Sequence, residues 1–228
     1  MALTLENRWV GNATVVTCTG RLVAGAESSA LQQHLDALIP VTPHIVLHLG
    51  GIEFLDSAGL GLLVRCRARA ENANTTFKVC ALSPKVEQIL KVTRLTSTFQ
   101  PYETEAEAIT DLHQSGPRQA DGSLLTPDVL CLDRSPDVVA YLRALLTEAG
   151  YRVITAINFP DALILLKATR PKVVVTGADF RAGGTRAAEE FHELAKTCAL
   201  VEIPEGFSAQ DAGQAGAQLI SAVRAQAS

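Results

Sequence analysis

The segment from His44 to Leu63, HIVLHLGGIEFLDSAGLGLL, sets the order of elements in the first half of the chain. Its first six residues, 44–49, are too apolar for a surface strand and predict a strand in the centre of a sheet. The Asp-Ser-x-Gly-x-Gly pattern that begins at Asp56 then predicts a turn and a helix, because Asp and Ser both favour the cap position. We expect this helix to run from Ser57 to about Asn72.

Strands and helices alternate on both sides of this segment. Gly11-Asn12 separates two β-rich runs, 3–10 and 13–19, which is typical of a hairpin. The other elements expected in this half are helices at 26–39, from Pro84 onward and at 104–113, and strands at 76–82 and near Phe99. This alternation predicts an α/β layer structure.

Residues 114–127, QSGPRQADGSLLTP, have the composition of a linker. We therefore predict two small domains, 1–114 and 128–228, joined by a linker at 115–127. Four short strands that alternate with helices in the second domain predict a parallel sheet covered on both faces. The expected strands are 128–132, 152–156, 172–176 and 199–203, and the expected helices are 135–149, 160–169, 185–197 and 208–225.

Composition excludes several classes of function. The 228 residues include 20 Lys and Arg against 24 Asp and Glu, a net charge of −4, which argues against nucleic-acid binding by phosphate neutralisation. The chain has no apolar run long enough to span a membrane and no signal-peptide pattern at its start. Its 5 cysteines form no CxxC pair, so we expect a reduced, cytoplasmic protein without a metal site. We also expect no cofactor and no enzymatic activity, because no catalytic motif is visible.

The residues alone leave two interpretations of Ser57 open. Asp56 or Ser57 can cap the following helix, and in the first interpretation Ser57 is a plain capping serine. Alternatively, Ser57 is a regulatory phosphorylation site, since a phosphate at a helix N-terminus is favoured by the helix dipole and by free N–H groups. A phosphate there would change the surface charge by roughly −1.5 to −2.

The segment 55–61, LDSAGLG, resembles the signature of STAS domains of the anti-sigma factor antagonist type. The resemblance extends over residues 3–113 and includes Gly20-Arg21-Leu22 and the segments 45–49, 79–86 and 90–95. It implies that Ser57 is phosphorylated by an anti-sigma factor kinase. It also implies that only the unphosphorylated form binds this kinase and releases the sigma factor, with transcription as the regulated process.

The same resemblance implies a partner-binding surface around Ser57. We expect it to contain Asp56, Ser57, Ala58, Gly59, Leu60, Gly61, Arg65 and Arg69. Arg65 and Arg69 lie four residues apart on one helix face, so they either meet an acidic partner or a phosphate, or form an ordinary solvated face. The sequence departs from the family at Val23, where many members have an acidic residue. A serine phosphatase and a second copy of the chain are further expected partners.

The segment 129–136, VLCLDRSP, resembles the first strand and acidic turn of response-regulator receiver domains. The similarity continues through 142–156, 161–163 and 170–175. The chemistry of a receiver is not preserved, because Arg134 follows Asp133 where a second acidic residue is expected, and Gly177 takes the place of the phosphoacceptor aspartate. Asp179 lies two residues later. We therefore expect a degenerate, flavodoxin-like parallel sheet, truncated by one strand–helix unit, that does not take up phosphate.

Two other functions remain open from the sequence. In the first, the chain is a response regulator with a STAS output domain, phosphorylated on Asp179 or Asp133. In the second, it is a ligand-sensing or scaffold STAS module in a larger signalling complex. Fold alone does not distinguish these functions from antagonism.

Overall fold

The structure is a computed structural model that describes residues 2–114, 127–181, 184–203, 207 and 212–227. The chain divides into two units, residues 1–112 and 113–228. The expected linker at 115–127 lies outside the described residues except for Pro127. No helix in the described ranges is long and apolar enough to cross a membrane.

The first unit is built on a four-stranded sheet with the order β1-β2-β3-β4. Its strands are β1 (Thr4–Val10), β2 (Ala13–Leu22), β3 (His44–Leu55) and β4 (Thr76–Cys80). The predicted hairpin is confirmed, since β1 and β2 are antiparallel and Val10 pairs with Ala13 across the turn. The pairs β2–β3 and β3–β4 are parallel, so the carboxyl ends of β2 and β3 meet at one edge of the sheet.

Five helices accompany this sheet: α1 (Ala26–Leu38), α2 (Ser57–Asn72), α3 (Pro84–Val92), α4 (Thr96–Phe99) and α5 (Glu105–Gln114). The predicted start of α3 is confirmed, because Ser83 caps it by accepting from the N–H of Val86 and Pro84 is its first residue. The main core lies between the sheet and the buried faces of α1, α2 and α3. Its helical members include Leu31, Leu35, Leu62, Leu63, Cys66, Val86 and Leu90.

Two expectations for this unit are wrong. The central strand does not end at residue 49 but continues to Leu55, because extra residues around Leu49-Gly50 and at Glu53 let it stay paired with β2. The short strand expected near Phe99 is the helical turn α4, in which the N–H of Phe99 donates to the carbonyl of Leu95 at 3.0 Å. Extended pairing starts three residues later, where Tyr102 bridges to Cys80.

The second unit contains a parallel four-stranded sheet with the order β6-β5-β7-β8. Its strands are β5 (Val129–Leu132), β6 (Val153–Ala156), β7 (Val173–Thr176) and β8 (Ala199–Glu202), and its helices are α6 (Pro136–Glu148), α7 (Phe159–Thr169), α8 (Arg186–Ala195) and α9 (Ala212–Ala227). The α/β fold class with two sheets is therefore confirmed. The expected start of the last helix, near Ser208, lies outside the described residues.

Candidate functional site

Helix α2 begins at the site that the sequence singled out, and Asp56 is the residue that starts it. Asp56 has an extended backbone, and its Oδ1 accepts a hydrogen bond from the N–H of Gly59 at 2.8 Å. This bond satisfies one of the free donors of the first helical turn. The cap of α2 is therefore Asp56, and Ser57 is the first residue of the helix itself.

The other carboxylate oxygen of Asp56 holds the loop that follows β2. Oδ2 accepts from the N–H of Ala24 at 3.0 Å, while the N–H of Asp56 donates to the carbonyl of Leu22 at 3.3 Å. The bonds from Gly59 and Ala24 lower the pKa of Asp56 below its ordinary value, and the positive charge of Arg21 acts in the same direction. Asp56 thus stays ionised and connects the ends of β2 and β3 with α2.

The Ser57 side chain is exposed and makes no hydrogen bond with the described residues. The alternative that Ser57 is a capping serine is therefore wrong, because the neighbouring aspartate does the capping. An exposed hydroxyl at the first position of a helix is open to a modifying enzyme. A phosphate placed there would meet the positive end of the helix dipole.

Two glycines of the Gly-x-Gly pattern have different roles. Gly59 is buried against the end of β2, and a Cβ atom added to it would lie 2.3 Å from the carbonyl oxygen of Leu22. Gly59 therefore allows the first turn of α2 to pack closely on the backbone of β2. A Cβ on Gly61 would only come within 3.3 Å of Nη1 of Arg65, the end of a flexible side chain. Gly61 lies one helical turn after Ser57 and leaves the helix surface bare.

Arg21 and Phe54, which the sequence does not predict at this site, lie at the carboxyl ends of β2 and β3, just before α2. The guanidinium of Arg21 stacks over the ring of Phe54 at 5.5 Å, because the two residues are paired across β2 and β3. Phe54 is 47% exposed, and Val64 on α2 is 36% exposed. The strand ends before α2, and α2 itself, thus expose apolar as well as cationic side chains. The spacing of residues in the sequence does not predict this contact, because the contact depends on the parallel register of β2 and β3.

Arg65 and Arg69, expected to act on one face, have separate surroundings. Nη1 of Arg69 forms an ion pair with Oδ1 of Asp36 on α1 at 2.7 Å. Arg65 is exposed and forms no ion pair with any residue in the described ranges. Arg65 is therefore the member of the pair whose charge is not used by another described residue.

Comparison with known proteins identifies the fold that carries this site. Residues 5–108 match the model of the STAS domain. The first unit carries this match, and we name it the STAS domain after the matching model. An anti-sigma F factor antagonist of Paenibacillus polymyxa is 32% identical over 69 residues, which cover 30% of this chain and 59% of the relative.

Two further similarities also cover less than half of this chain. Protein Rrf1 of Nitratidesulfovibrio vulgaris is 41% identical over 46 residues, which cover 20% of this chain and 33% of that protein. The crystal structure of an anti-sigma factor antagonist from Mycobacterium paratuberculosis is 28% identical, with a TM-score of 0.44, and the match covers 48% of this chain and 93% of that one. This chain spans less than two thirds of the length of the two curated relatives, 59% and 33%.

The STAS domain also has a cleft of about 420 Å³ along β4, away from Ser57. Two cations line it, and both are paired within the domain. Nε of Arg67 donates to Oε1 of Glu71 at 2.7 Å, and Lys78 contacts Asp111 and the hydroxyl of Tyr102. Burial alone would lower the pKa of Lys78, but these hydrogen bonds hold it above its ordinary value. The described lining of the cleft therefore offers no unpaired cation to an anionic ligand.

The second unit brings Asp133 and Gly177 together, as the ends of the adjacent strands β5 and β7 require. Oδ1 of Asp133 accepts from the N–H of Ser135 at 2.8 Å, and its Oδ2 lies 2.1 Å from where a Cβ on Gly177 would be. The Asp133 carboxylate thus fills the space that a side chain at position 177 would need. Asp179 is exposed on the short 3₁₀ turn Ala178–Phe180.

Proposed function

We propose that this chain is a non-catalytic, cytoplasmic anti-sigma factor antagonist that acts by partner switching. In its unmodified form the STAS domain binds an anti-sigma factor kinase, which frees the sigma factor. Phosphorylation of Ser57 releases the kinase. The family match over residues 5–108 and the similarity to the antagonist from Paenibacillus polymyxa support this role.

The observation that carries the proposal is the division of roles between Asp56 and Ser57. Asp56 supplies the hydrogen bonds that start α2, and Ser57 is exposed without a bond to the described residues. A phosphate can therefore be added to the serine without loss of the cap. The domain can then alternate between the two proposed states without unfolding.

The proposed switch follows from simple chemistry. The kinase transfers the γ-phosphoryl group of ATP to Oγ of Ser57, so that the hydroxyl proton is lost and ADP leaves. The product carries roughly −1.5 to −2 extra charges at neutral pH. A loss of a few kcal/mol at the interface weakens binding by about a hundredfold or more. A serine phosphatase that hydrolyses the phosphate ester restores the binding form.

The second unit has an interaction role in this proposal, in dimerisation or in positioning the STAS domain. We interpret it as a degenerate receiver-like domain that does not accept a phosphoryl group. The arrangement of Asp133 against Gly177 supports this interpretation, because the place of a phosphoacceptor side chain is filled.

The experiment uses the full chain, ATP and a lysate of its source cells, followed by intact-mass analysis and phosphopeptide mapping. The proposal predicts one phosphate on Ser57, lost in Ser57→Ala and retained in Ser97→Ala, which removes an exposed serine of α4. A lysate whose kinases phosphorylate other proteins but leave Ser57 unmodified would refute it. So would a hydroxylamine-sensitive phosphate on Asp133 or Asp179, which would identify a response regulator.

A further inference from the structure

Several arginines of the STAS domain are used inside the fold. Arg8 pairs with Glu105, Arg67 with Glu71 and Arg69 with Asp36. Arg21 and Arg65 form no ion pair or hydrogen bond with any residue that the structure describes, and both are exposed. Their charge is therefore available to something outside the fold.

These two arginines lie on different elements, one before Ser57 and one after it. Arg21 lies at the end of β2, close enough to Asp56 for its charge to favour the ionised carboxylate. Arg65 lies on α2 with its guanidinium beside Gly61, one turn after Ser57. Long helical side chains point back toward the N-terminus of the helix, which brings Arg65 toward Ser57.

Exposed apolar side chains accompany both cations. Phe54, which pairs with Arg21 across the strands, is 47% exposed, Val64 next to Arg65 on α2 is 36% exposed, and Leu60 on α2 is half-buried. Position 23 in the loop after β2 is a valine, so that loop contributes no carboxylate there. An apolar centre with a charged rim is the usual composition of a protein interface.

We propose that Arg21 and Arg65 form a cationic rim that binds carboxylates of the partner, and that a phosphate on Ser57 occupies the same two guanidinium groups. The proposal rests on the proposed function and adds the chemistry of the partner, which presents an apolar contact flanked by acidic side chains. Arginine suits this role because its planar fork binds carboxylate and phosphate equally well. Phosphorylation then weakens binding in two ways. The phosphate neutralises the charges of Arg21 and Arg65, and it repels the acidic side chains of the partner.

The first test of this inference needs no partner protein, because it measures the titration of the phosphate on residue 57. The full chain is produced with phosphoserine incorporated at position 57, and its ³¹P signal is followed against pH in the parent and in Arg21→Gln, Arg65→Gln and Arg69→Gln. The charged residues of β2, β3, β4, α1, α2 with its cap, and α3 are Arg21, Glu27, Asp36, Glu53, Asp56, Arg65, Arg67, Arg69, Glu71, Lys78, Lys85, Glu87 and Lys91, and the histidines are His34, His44 and His48. Their contributions are common to all four proteins except for the one replaced.

We expect the phosphate to titrate below the ordinary value of about 6 in the parent, and to return toward it in Arg21→Gln and Arg65→Gln. Arg69→Gln, which breaks the pair with Asp36 instead, should leave the titration unchanged. A phosphate that titrates alike in all four proteins would overturn the inference. Circular dichroism checks that each variant is folded.

A second measurement uses the kinase captured on the unmodified chain. Arg21→Gln and Arg65→Gln should each weaken its binding by about tenfold at low salt and less at high salt, because the ionic contact is screened. Unchanged affinity in both variants would overturn the inference. Failure of the lysate experiment at Ser57 would refute the proposed function alone, since the ³¹P titration needs no kinase.

Discussion

Gly59 packs so closely on Leu22 that a Cβ atom on the glycine would lie 2.3 Å from the carbonyl oxygen of the leucine. The obstacle is backbone, which cannot rotate away as a side chain can. The contact fixes the first turn of α2 against the end of β2. The position of Ser57 in the fold therefore depends on a glycine two residues after it.

We predict that Gly59→Ala destabilises the STAS domain by about 1–3 kcal/mol, the range of overpacking in a tight contact. Gly61→Ala is the matched control, because the nearest atom there is the end of the Arg65 side chain at 3.3 Å. A helical Gly→Ala change without a clash stabilises by about 0.5–1 kcal/mol. Urea unfolding followed by Trp9 fluorescence measures both variants, and equal effects would contradict the packing argument.

Asp56 should make the stability of the STAS domain depend on pH. Its pKa in the folded state is lowered by the N–H groups of Gly59 and Ala24, so its contribution is present above the unfolded pKa and is lost as pH falls through the folded one. We expect Asp56→Asn to lower the free energy of unfolding at neutral pH. The difference from the parent should shrink below about pH 4, the ordinary range of an aspartate.

Urea midpoints for the parent and Asp56→Asn at several pH values test this prediction. Glu53→Gln is the control, because Glu53 is exposed and makes no ion pair or hydrogen bond with the described residues. A difference for Asp56→Asn that does not change with pH would show that the carboxylate charge has no role in holding the turn.

In the second unit, the close packing of the Asp133 carboxylate against Gly177 can be tested by substitution. Gly177→Ala should force the Asp133 carboxylate to rotate and give up its hydrogen bond from the N–H of Ser135, at a cost of about 0.5–1.5 kcal/mol. In an Asp133→Ala background the same change should cost almost nothing, because the clash has been removed. Hydrogen exchange of peptides from β5 and β7 measures this coupling. Additive effects would contradict the assigned geometry.

Acetyl phosphate distinguishes a degenerate receiver from a working one. With Mg²⁺ and acetyl phosphate we expect no hydroxylamine-sensitive mass gain on the full chain, because Asp133 has Arg134 as its neighbour and Gly177 leaves no acceptor after β7. A receiver domain holds Mg²⁺ through carboxylate oxygens, and Arg134 supplies none. A mass gain that disappears in Asp179→Asn would make Asp179 the acceptor and contradict our interpretation of the second unit.

The sequence predicted those elements whose structure depends on residues close together along the chain. Helix α2 runs from Ser57 to Asn72 as predicted, since an aspartate cap and a helical apolar pattern lie within one segment. Helices α3 and α6 begin at Pro84 and Pro136, each capped by the serine before it, and the sequence predicted both starts to within one residue for the same reason. The sequence could not choose between Asp56 and Ser57 as the cap, because both residue types accept the same hydrogen bond.

Features that depend on pairing between distant segments were missed. The extension of β3 to Leu55 needs extra residues opposite β2, and the stacking of Arg21 on Phe54 needs that same register. Phenylalanine favours β-strands, but Phe99 is buried at the end of the helical turn α4. The separation of Arg65 from Arg69 depends on Asp36 of another helix.

The most direct test of partner switching is the affinity of the captured kinase for the chain with Ser57 unmodified and with phosphoserine at position 57. Both proteins are compared at the same salt concentration, with Ser97→Ala as a folded control. Partner switching predicts that phosphorylation lowers the affinity for the kinase by about a hundredfold or more. Equal affinity, or tighter binding of the phosphorylated chain, would contradict it.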